Sequence, residues 1–135
     1  MILQNSLYSI KSKLVTGLEI RYDIVLDASH FIYQAHFPGD PITPGVCVIQ
    51  IAKELLEDHL QQRLSVKSVK NVKFLREISP VESRQVTFAF EKVVADDTSK
   101  TYKAHVRVFA HESNELIAMS GEEILARLSF VTKND

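Results

Sequence analysis

The chain has few of the residues that mark disulfide-bonded or nucleic-acid-binding proteins. Among its 135 residues there is a single cysteine, Cys47. No disulfide can therefore form within the chain, and this cysteine usage is typical of a reducing compartment. The 16 basic and 17 acidic residues leave a formal charge of -1, whereas nucleic-acid binding favours clustered Lys and Arg in excess. We therefore expect no nucleic-acid partner.

Long apolar runs are absent as well. No stretch approaches the roughly 20 apolar residues that a membrane-spanning helix requires. Residues 1–5 lack the basic start and the long apolar run of a secretory signal peptide. The sequence therefore predicts a cytoplasmic protein with no membrane partner. Its length and its hydrophobic content of 45% predict a single domain over residues 1–135.

Nothing in the sequence indicates a metal site. The histidines at positions 30, 59, 105 and 111 are scattered, without the spacing of a ligand set. Cys47 lies between Val46 and Val48, which favours a small apolar packing role over that of a nucleophile. We predict neither a metal nor a cofactor.

Alternating apolar and polar residues dominate the sequence and predict strands. Over residues 18–26 every second residue is apolar, and charged residues stand at 19, 21 and 23. Tyr8, Ile10 and Leu14 predict a preceding strand, with a turn at residues 16–17. Further strands are predicted near 66–78, around 86–90, over 102–108 and near 116–126, with polar turns at 95–99 and 111–115. Together they form a long antiparallel meander.

One segment follows a helical period instead. From residue 46 to about 64, apolar residues recur every three or four positions, and residues 47–52 are apolar almost all round. This predicts a helix that starts inside the protein and emerges towards solvent. Thr43 is placed to cap it, with Pro44 at its first position. The predicted fold is therefore α+β, a long central helix wrapped by a curved antiparallel sheet.

Three of the four prolines and two of the four glycines lie in one window, residues 36–45, which reads His-Phe-Pro-Gly-Asp-Pro-Ile-Thr-Pro-Gly. Such a concentration imposes an irregular backbone path. The window begins with His36 and ends at a predicted helix N-terminus. That end exposes unpaired N–H groups, which suit a developing oxyanion. A structural interpretation of His36 is a buried histidine that hydrogen-bonds to the backbone.

Residues 36–46 resemble the signature of the 3-hydroxyacyl-(acyl carrier protein) dehydratases of fatty-acid synthesis, which have the hotdog fold. Residues 73–80, Lys-Phe-Leu-Arg-Glu-Ile-Ser-Pro, are similar to a strand that follows the helix in that family. The resemblance extends from about residue 8 to residue 126, although only the central motif is close. Ala35 is a departure, since the family commonly has glycine before the histidine.

The resemblance implies roles for individual residues. His36 would take the proton from C2 of a 3-hydroxyacyl thioester, and the Gly45 N–H would bind the thioester carbonyl. Phe37 and Val46 would contact the substrate beside them. In the family, a Glu or Asp fourteen residues after the histidine protonates the departing hydroxyl, and it comes from the partner subunit. The site then lies at a dimer interface.

In this chain that position is Gln50, which has no proton to transfer. One turn later stands Glu54, where related dehydratases often have glutamine, so the two residue types are exchanged relative to those enzymes. Residues at i and i+4 share a helix face, and Glu54 is therefore a candidate substitute acid. The alternatives are a hydrogen-bonded core amide at Gln50 and a solvated or interface-paired glutamate at Glu54, beside Lys53.

Three functions are compatible with these features. The first is a dehydratase acting on an acyl thioester of acyl carrier protein or CoA, with His36, Gln50 and Glu54 at its site. The second is a weak or inactive acyl-carrier-binding subunit that pairs with an active homologue. The third is a hotdog thioesterase, although those enzymes usually lack this loop. A homodimer or higher even oligomer is predicted, because a curved sheet leaves edge strands that need cover. A heterodimer with a homologue is the alternative.

Overall fold

The computed structural model describes residues 2–110 and 124–135. These residues form two helices and six strands, in agreement with the predicted α+β class. The elements in chain order are β1 (Tyr8–Thr16), β2 (Glu19–Leu26), α1 (Ile32–Ala35), α2 (Gly45–Leu60), β3 (Leu64–Phe74), β4 (Gln85–Asp96), β5 (Thr101–Ala110) and β6 (Ile124–Asn134).

The described strands form one antiparallel sheet in the order β1-β2-β4-β5-β6-β3. The predicted meander was therefore wrong in one respect, because β3 pairs with β6 at the far edge rather than with its sequence neighbours. The chain reaches that edge through α2, which crosses the sheet between β2 and β3. The strand order depends on where α2 crosses the sheet. The alternation of apolar and polar residues within a strand carries no information about that crossing.

The first hairpin shows how a local irregularity changes which residues are buried. Its turn lies where it was predicted, with Gly17 at φ 61°. A β-bulge between Ile10 and Ser12 then shifts the register of β1. Leu14 consequently pairs with Arg21 and is 60% exposed. The prediction that Leu14 shares a core face with Tyr8 and Ile10 was wrong, because one inserted residue reverses the faces beyond it.

The long helix α2 lies against the inner face of the sheet. Its buried residues are Cys47, Val48, Ile51, Ala52, Glu54, Leu55 and Leu56. Val46, in contrast, is 68% exposed and Ile49 is only partly buried. The first turn is therefore not buried on all sides within this chain.

The ends of three elements differ from the sequence predictions. Pro44, not Thr43, occupies the N-cap of α2, and no side chain caps it. The Thr43 hydroxyl instead pairs with the Tyr33 hydroxyl at 2.8 Å. Strand β3 ends at Phe74 rather than near residue 78. The described part of the last strand runs to Asn134, eight residues past its predicted end, whereas the predicted turn at 111–115 and residues 116–123 lie outside the described residues.

Two buried tyrosines join the sheet to α2 through carboxylates. The Tyr8 hydroxyl donates to Glu54 at 3.1 Å, and the Tyr22 hydroxyl donates to Asp58 at 2.7 Å. Burial raises the pKa of both phenols, and the neighbouring carboxylates raise it further. Both side chains therefore stay neutral wherever the fold is intact.

We expect Tyr8 and Tyr22 to ionise only when the protein unfolds in alkali. Because their pKa values are raised in the folded state, the unfolded chain releases these protons first. Their stabilising effect is complete below about pH 10 and is lost as the pH rises above it. A titration of phenolate absorbance alongside circular dichroism checks this. Reversible ionisation of all four tyrosines in folded protein would contradict it.

Candidate active site

The short helix α1 leads directly into the loop that contains His36. The backbone N–H of His36 donates to the Ile32 carbonyl at 3.0 Å, so this residue ends α1. Phe37 and Asp40 then exchange backbone hydrogen bonds of 3.1 and 2.9 Å. Gly39 lies within this tight turn at φ 80°, a left-handed conformation that favours glycine. This turn sets the direction in which the backbone continues after His36.

The remainder of the loop is anchored from both sides. The Ile42 N–H donates to the His36 carbonyl at 2.7 Å, and the Thr43 N–H donates to the Ile78 carbonyl at 2.8 Å. Tyr33 and Thr43, whose hydroxyls pair, are both buried. The backbone that presents the imidazole is therefore held to α1 and to the segment after β3.

His36 and the N-terminal residue of α2, Gly45, line the same cavity. Its volume is about 390 Å³, and its walls are residues 36–37 and 42–45 on one side and 74–78 on the other. This volume lies within the range of small-molecule sites. The structure therefore brings together the imidazole and the helix N-terminus that the sequence motif paired.

At Gly45 the cavity wall lies close to the helix. A Cβ atom at this position would lie 2.9 Å from two ring carbons of Phe74, closer than real Cβ contacts. A larger residue here would therefore require the half-exposed Phe74 ring to move. Within the described ranges, the Gly45 N–H has no hydrogen-bond acceptor, as expected for the first residue of a helix. It is available to a carbonyl oxygen bound in the cavity.

The mouth of the cavity is apolar and open in the single chain. Phe37 is 52% exposed, Phe74 46% and Leu75 44%. Val46 follows Gly45 and is 68% exposed, but it does not line the cavity. His36 itself is exposed. Large apolar side chains grouped beside a cavity are typical of binding or subunit contacts.

Gln50 and Glu54 lie away from this cavity within the same chain. Glu54 is only 6% exposed and accepts four hydrogen bonds. Its carboxylate oxygens accept the backbone N–H groups of Leu3 and Gln4, both at 2.8 Å, and the Tyr8 hydroxyl at 3.1 Å. The fourth donor is the Gln50 side-chain amide, at 2.7 Å. Glu54 therefore fastens the N-terminal segment to α2.

These contacts decide between some of the structural interpretations. Glu54 is not solvated, and Lys53 pairs with Glu57 at 3.2 Å instead. Gln50 has the hydrogen-bond partner that a partly buried amide requires. No local pattern indicated that Glu54 would bind residues 3–4, because those contacts span about 50 positions of the chain.

The wall formed by residues 74–78 was not assigned to the site from the sequence. The only signal was the resemblance of residues 73–80 to a family strand, which carried no role. Phe74 and Ile78 reach the loop because β3 lies beside α2 in three dimensions. Such a wall follows from packing rather than from any spacing within the motif.

Cys47 has the packing role that its neighbours predicted. It is 5% exposed, and burial raises the pKa of its thiol, which keeps it protonated. Across residues 2–110 and 124–135, no group of three or more His, Cys, Asp or Glu side chains is placed to hold a metal ion. None of the described helices is long and apolar enough to cross a membrane.

The sequence matches the model of a known family over residues 12–113, which is more than half of the chain. That family is the ApeI-like family, described as ApeI dehydratase. No curated protein matches the sequence.

Solved structures show the same fold. The chain is similar to the dehydratase heterocomplex ApeI:P from Xenorhabdus doucetiae, at 16% identity and a TM-score of 0.66, over 93% of this chain and 96% of that one. It is similar to an (R)-hydratase of A. caviae involved in PHA biosynthesis (15%, 0.59, 90% and 98%). It is also similar to the PaaI protein of the E. coli phenylacetic acid degradation operon (10%, 0.58, 95% and 79%). The chain therefore has the hotdog fold and belongs to the ApeI-like dehydratase family.

Proposed function

We propose that the chain acts on 3-hydroxyacyl thioesters, with His36 and the Gly45 N–H as its reaction centre. The observation that supports this most directly is that both groups line one cavity of about 390 Å³. An imidazole near neutral pH is suited to general base catalysis. A free helix N–H is suited to an oxyanion.

In the proposed reaction, His36 removes a proton from C2 of the bound thioester. Negative charge then develops on the thioester carbonyl oxygen, where the Gly45 N–H stabilises it. The C3 hydroxyl must leave with a proton, and proton transfer of this kind contributes about 10²–10⁴-fold. Gln50 has no proton to give, and the Glu54 carboxylate is committed to four hydrogen bonds. We therefore expect the chain alone to be a slow dehydratase.

We infer that a second subunit covers the cavity mouth. Four large apolar side chains in this region are exposed to solvent in the single chain: Phe37, Val46, Phe74 and Leu75. Exposed apolar groups of this kind are typical of a surface that another subunit covers. If the covering subunit is a homologue with a carboxylate at the position of Gln50, that carboxylate supplies the missing acid. The ApeI:P dehydratase of X. doucetiae is itself a heterocomplex. A homodimer is the alternative assembly.

The substrate is proposed to be an acyl thioester on acyl carrier protein or CoA, within fatty-acid or related acyl-chain biosynthesis in the cytoplasm. Apolar side chains around the cavity, Phe37, Phe74 and Ile78 among them, suit an acyl chain. Phe37, which lines the cavity, and Val46, which is exposed next to Gly45, are the residues we propose to contact it first.

The test follows both products that a thioester can yield. Purified protein is incubated with 3-hydroxyacyl-CoA substrates of graded chain length, and enoyl product and free thiol are measured separately. We expect slow enoyl formation that falls at least about tenfold in His36→Ala, because the general base is lost. His105→Ala, on the exposed face of β5, is the matched control and retains the wild-type rate.

The other results separate the alternatives. Thiol release without enoyl product indicates a thioesterase. No enoyl product from the pure chain, followed by turnover when a carboxylate-bearing homologue is added, indicates a subunit of a heteromeric enzyme. Enoyl formation that is unchanged in His36→Ala would contradict the proposed site.

A further inference from the structure

A buried pair of hydroxyls joins the two ends of the loop that presents His36. Tyr33 lies in α1, just before His36, and Thr43 lies just before Gly45, the first residue of α2. Their hydroxyl oxygens are 2.8 Å apart. The two side chains are only 3% and 5% exposed. This hydrogen bond therefore connects the segment that carries one candidate reacting group to the segment that carries the other.

The backbone hydrogen bonds of the loop act at other points. Phe37 and Asp40 bond to each other, and the Ile42 N–H donates to the His36 carbonyl, so residues 36–42 close on themselves. The Thr43 N–H donates to the Ile78 carbonyl, which anchors the far end of the loop to the segment after β3. The Tyr33–Thr43 hydrogen bond adds a side-chain link from α1 directly to that far end.

Tyr33 and Thr43 stand in different relations to the cavity. Thr43 lines it together with His36 and Gly45, whereas Tyr33 is not among its walls. Tyr33 instead belongs to the hydrophobic core. It can therefore influence a bound thioester only through Thr43 and the loop, and not by touching the reacting atoms.

The hydroxyl pair keeps its protons at neutral pH. Burial raises the pKa of the Tyr33 hydroxyl above its usual value, which is itself about 10. The hydrogen bond therefore persists throughout the pH range in which an imidazole changes its charge.

We propose that Tyr33 and Thr43 are positioning residues that set the separation between the His36 imidazole and the Gly45 N–H. This rests on the proposed function, in which both groups act on one thioester at the same time. A displacement of about 1 Å at a reacting centre can lower the rate about 10²-fold. The apolar walls of the cavity hold the acyl chain independently of this hydrogen bond. Its loss should consequently lower kcat and leave KM nearly unchanged.

The test removes one hydroxyl at a time and keeps the shape of each side chain. We expect Tyr33→Phe and Thr43→Val each to lower kcat for enoyl formation about tenfold, with KM within about twofold of wild type. Thr43→Ser retains the hydroxyl and should restore most of the wild-type kcat. Tyr102→Phe is the matched control, since it removes a tyrosine hydroxyl that donates to Gln62 at 3.1 Å, away from the cavity walls.

The double variant Tyr33→Phe/Thr43→Val separates positioning from stability. Each single variant leaves one buried hydroxyl without its partner, which lowers stability, whereas replacing both partners by apolar groups of similar shape can be nearly neutral. We therefore expect Tm to return towards the wild-type value in the double variant while kcat stays low. Recovery of kcat together with Tm would show that the pair is merely structural.

A further measurement follows proton removal without loss of the hydroxyl. In D2O, the C2 proton of a 3-hydroxyacyl-CoA passes to His36 and a deuteron returns to C2, a reaction that needs no acid at C3. We expect this exchange to fall about tenfold in Tyr33→Phe. Exchange that is lost in His36→Ala but unchanged in Tyr33→Phe would overturn the positioning role and leave the proposed function intact.

A wild-type protein with neither C2 exchange nor enoyl product would contradict the proposed function instead. The constraint on the loop is then measured directly by amide hydrogen exchange. Exchange of the Ile42 and Thr43 amides should accelerate at least about tenfold in Tyr33→Phe and stay at the wild-type rate in Tyr102→Phe. Unchanged protection of both amides in Tyr33→Phe would by itself overturn the inference.

Discussion

Replacing Gln50 by glutamate is expected to raise the rate of enoyl formation by about 10²-fold in a homodimer, because position 50 of one subunit would then supply the missing general acid to the cavity of the other. The Gln50 amide lies 2.7 Å from the Glu54 carboxylate. A second carboxyl at this distance is repelled by the first, which favours the protonated form of the new group. The protonated form is the one that a general acid requires. Initial rates with 3-hydroxyacyl-CoA measure the effect.

The control for this variant separates acid catalysis from packing. Gln50→Met has a similar size and no proton to transfer, so its rate should not rise above that of the wild-type protein. The glutamate variant should lose stability while it gains activity, since two carboxyls now share one partly buried site. A rate that stays at the wild-type level in folded Gln50→Glu would show that the acid is not what limits this chain.

Replacing Glu54 by alanine is expected to lower the free energy of unfolding by about 2–4 kcal/mol. The carboxylate accepts hydrogen bonds from Leu3, Gln4, Tyr8 and Gln50. Hydrogen bonds to a charged group contribute more than neutral ones, and a buried donor without a partner costs about 1–3 kcal/mol. The estimate lies below the sum of four such losses, because the N-terminal segment can detach and its freed N–H groups can then donate to water.

Chemical denaturation measures this loss, and hydrogen exchange locates it. We expect protection of the Leu3 and Gln4 amides to fall first, ahead of the sheet. Glu82→Ala removes an exposed carboxylate and should change stability by less than about 0.5 kcal/mol. Glu54→Gln should fall between the two, because it keeps one acceptor oxygen but turns an amide donor towards other donors. A Glu54→Ala variant as stable as Glu82→Ala would show that these hydrogen bonds do not hold the segment.

The predictions for positions 50 and 54 are related, because the two side chains are in contact. Because Glu54 is bound to the N-terminal segment, a neutral residue at position 50 avoids a second carboxyl beside it. The amide at this position is therefore matched to its neighbour, and the two positions are best regarded as one coupled pair. The glutamate at position 54 has a structural role as the acceptor for Leu3, Gln4 and Tyr8.

Much of the secondary structure could be predicted because it depends on local patterns. The apolar residues Ile20, Tyr22, Ile24 and Leu26 are buried in β2, as their alternation indicated. The helical period located α2 to within one residue at its start and about four at its end. Pairing His36 with a helix N-terminus was also possible, because the rigid loop between them is short.

The errors have a common cause, which is that a distant or inserted residue decided the outcome. Thr43 does not cap α2, because its hydroxyl forms a hydrogen bond with the Tyr33 hydroxyl instead. Leu14 lies on the outer face, because a bulge reverses the strand. Strand β3 occupies the far edge of the sheet, because the helix crosses to it. None of these three features changes the local alternation or the helical period of the apolar residues.

The sequence by itself determined the strand and helix periods, the loop that carries His36, and the absence of an acid at position 50. All of these are properties of neighbouring residues. Only the tertiary structure decided that Glu54 serves the N-terminal segment and that Phe74 forms the cavity wall against Gly45. It alone also placed the Tyr33 hydroxyl against that of Thr43. The physical reason is that hydrogen bonding, packing and charge act through space, between residues that strand pairing and helix crossing bring together.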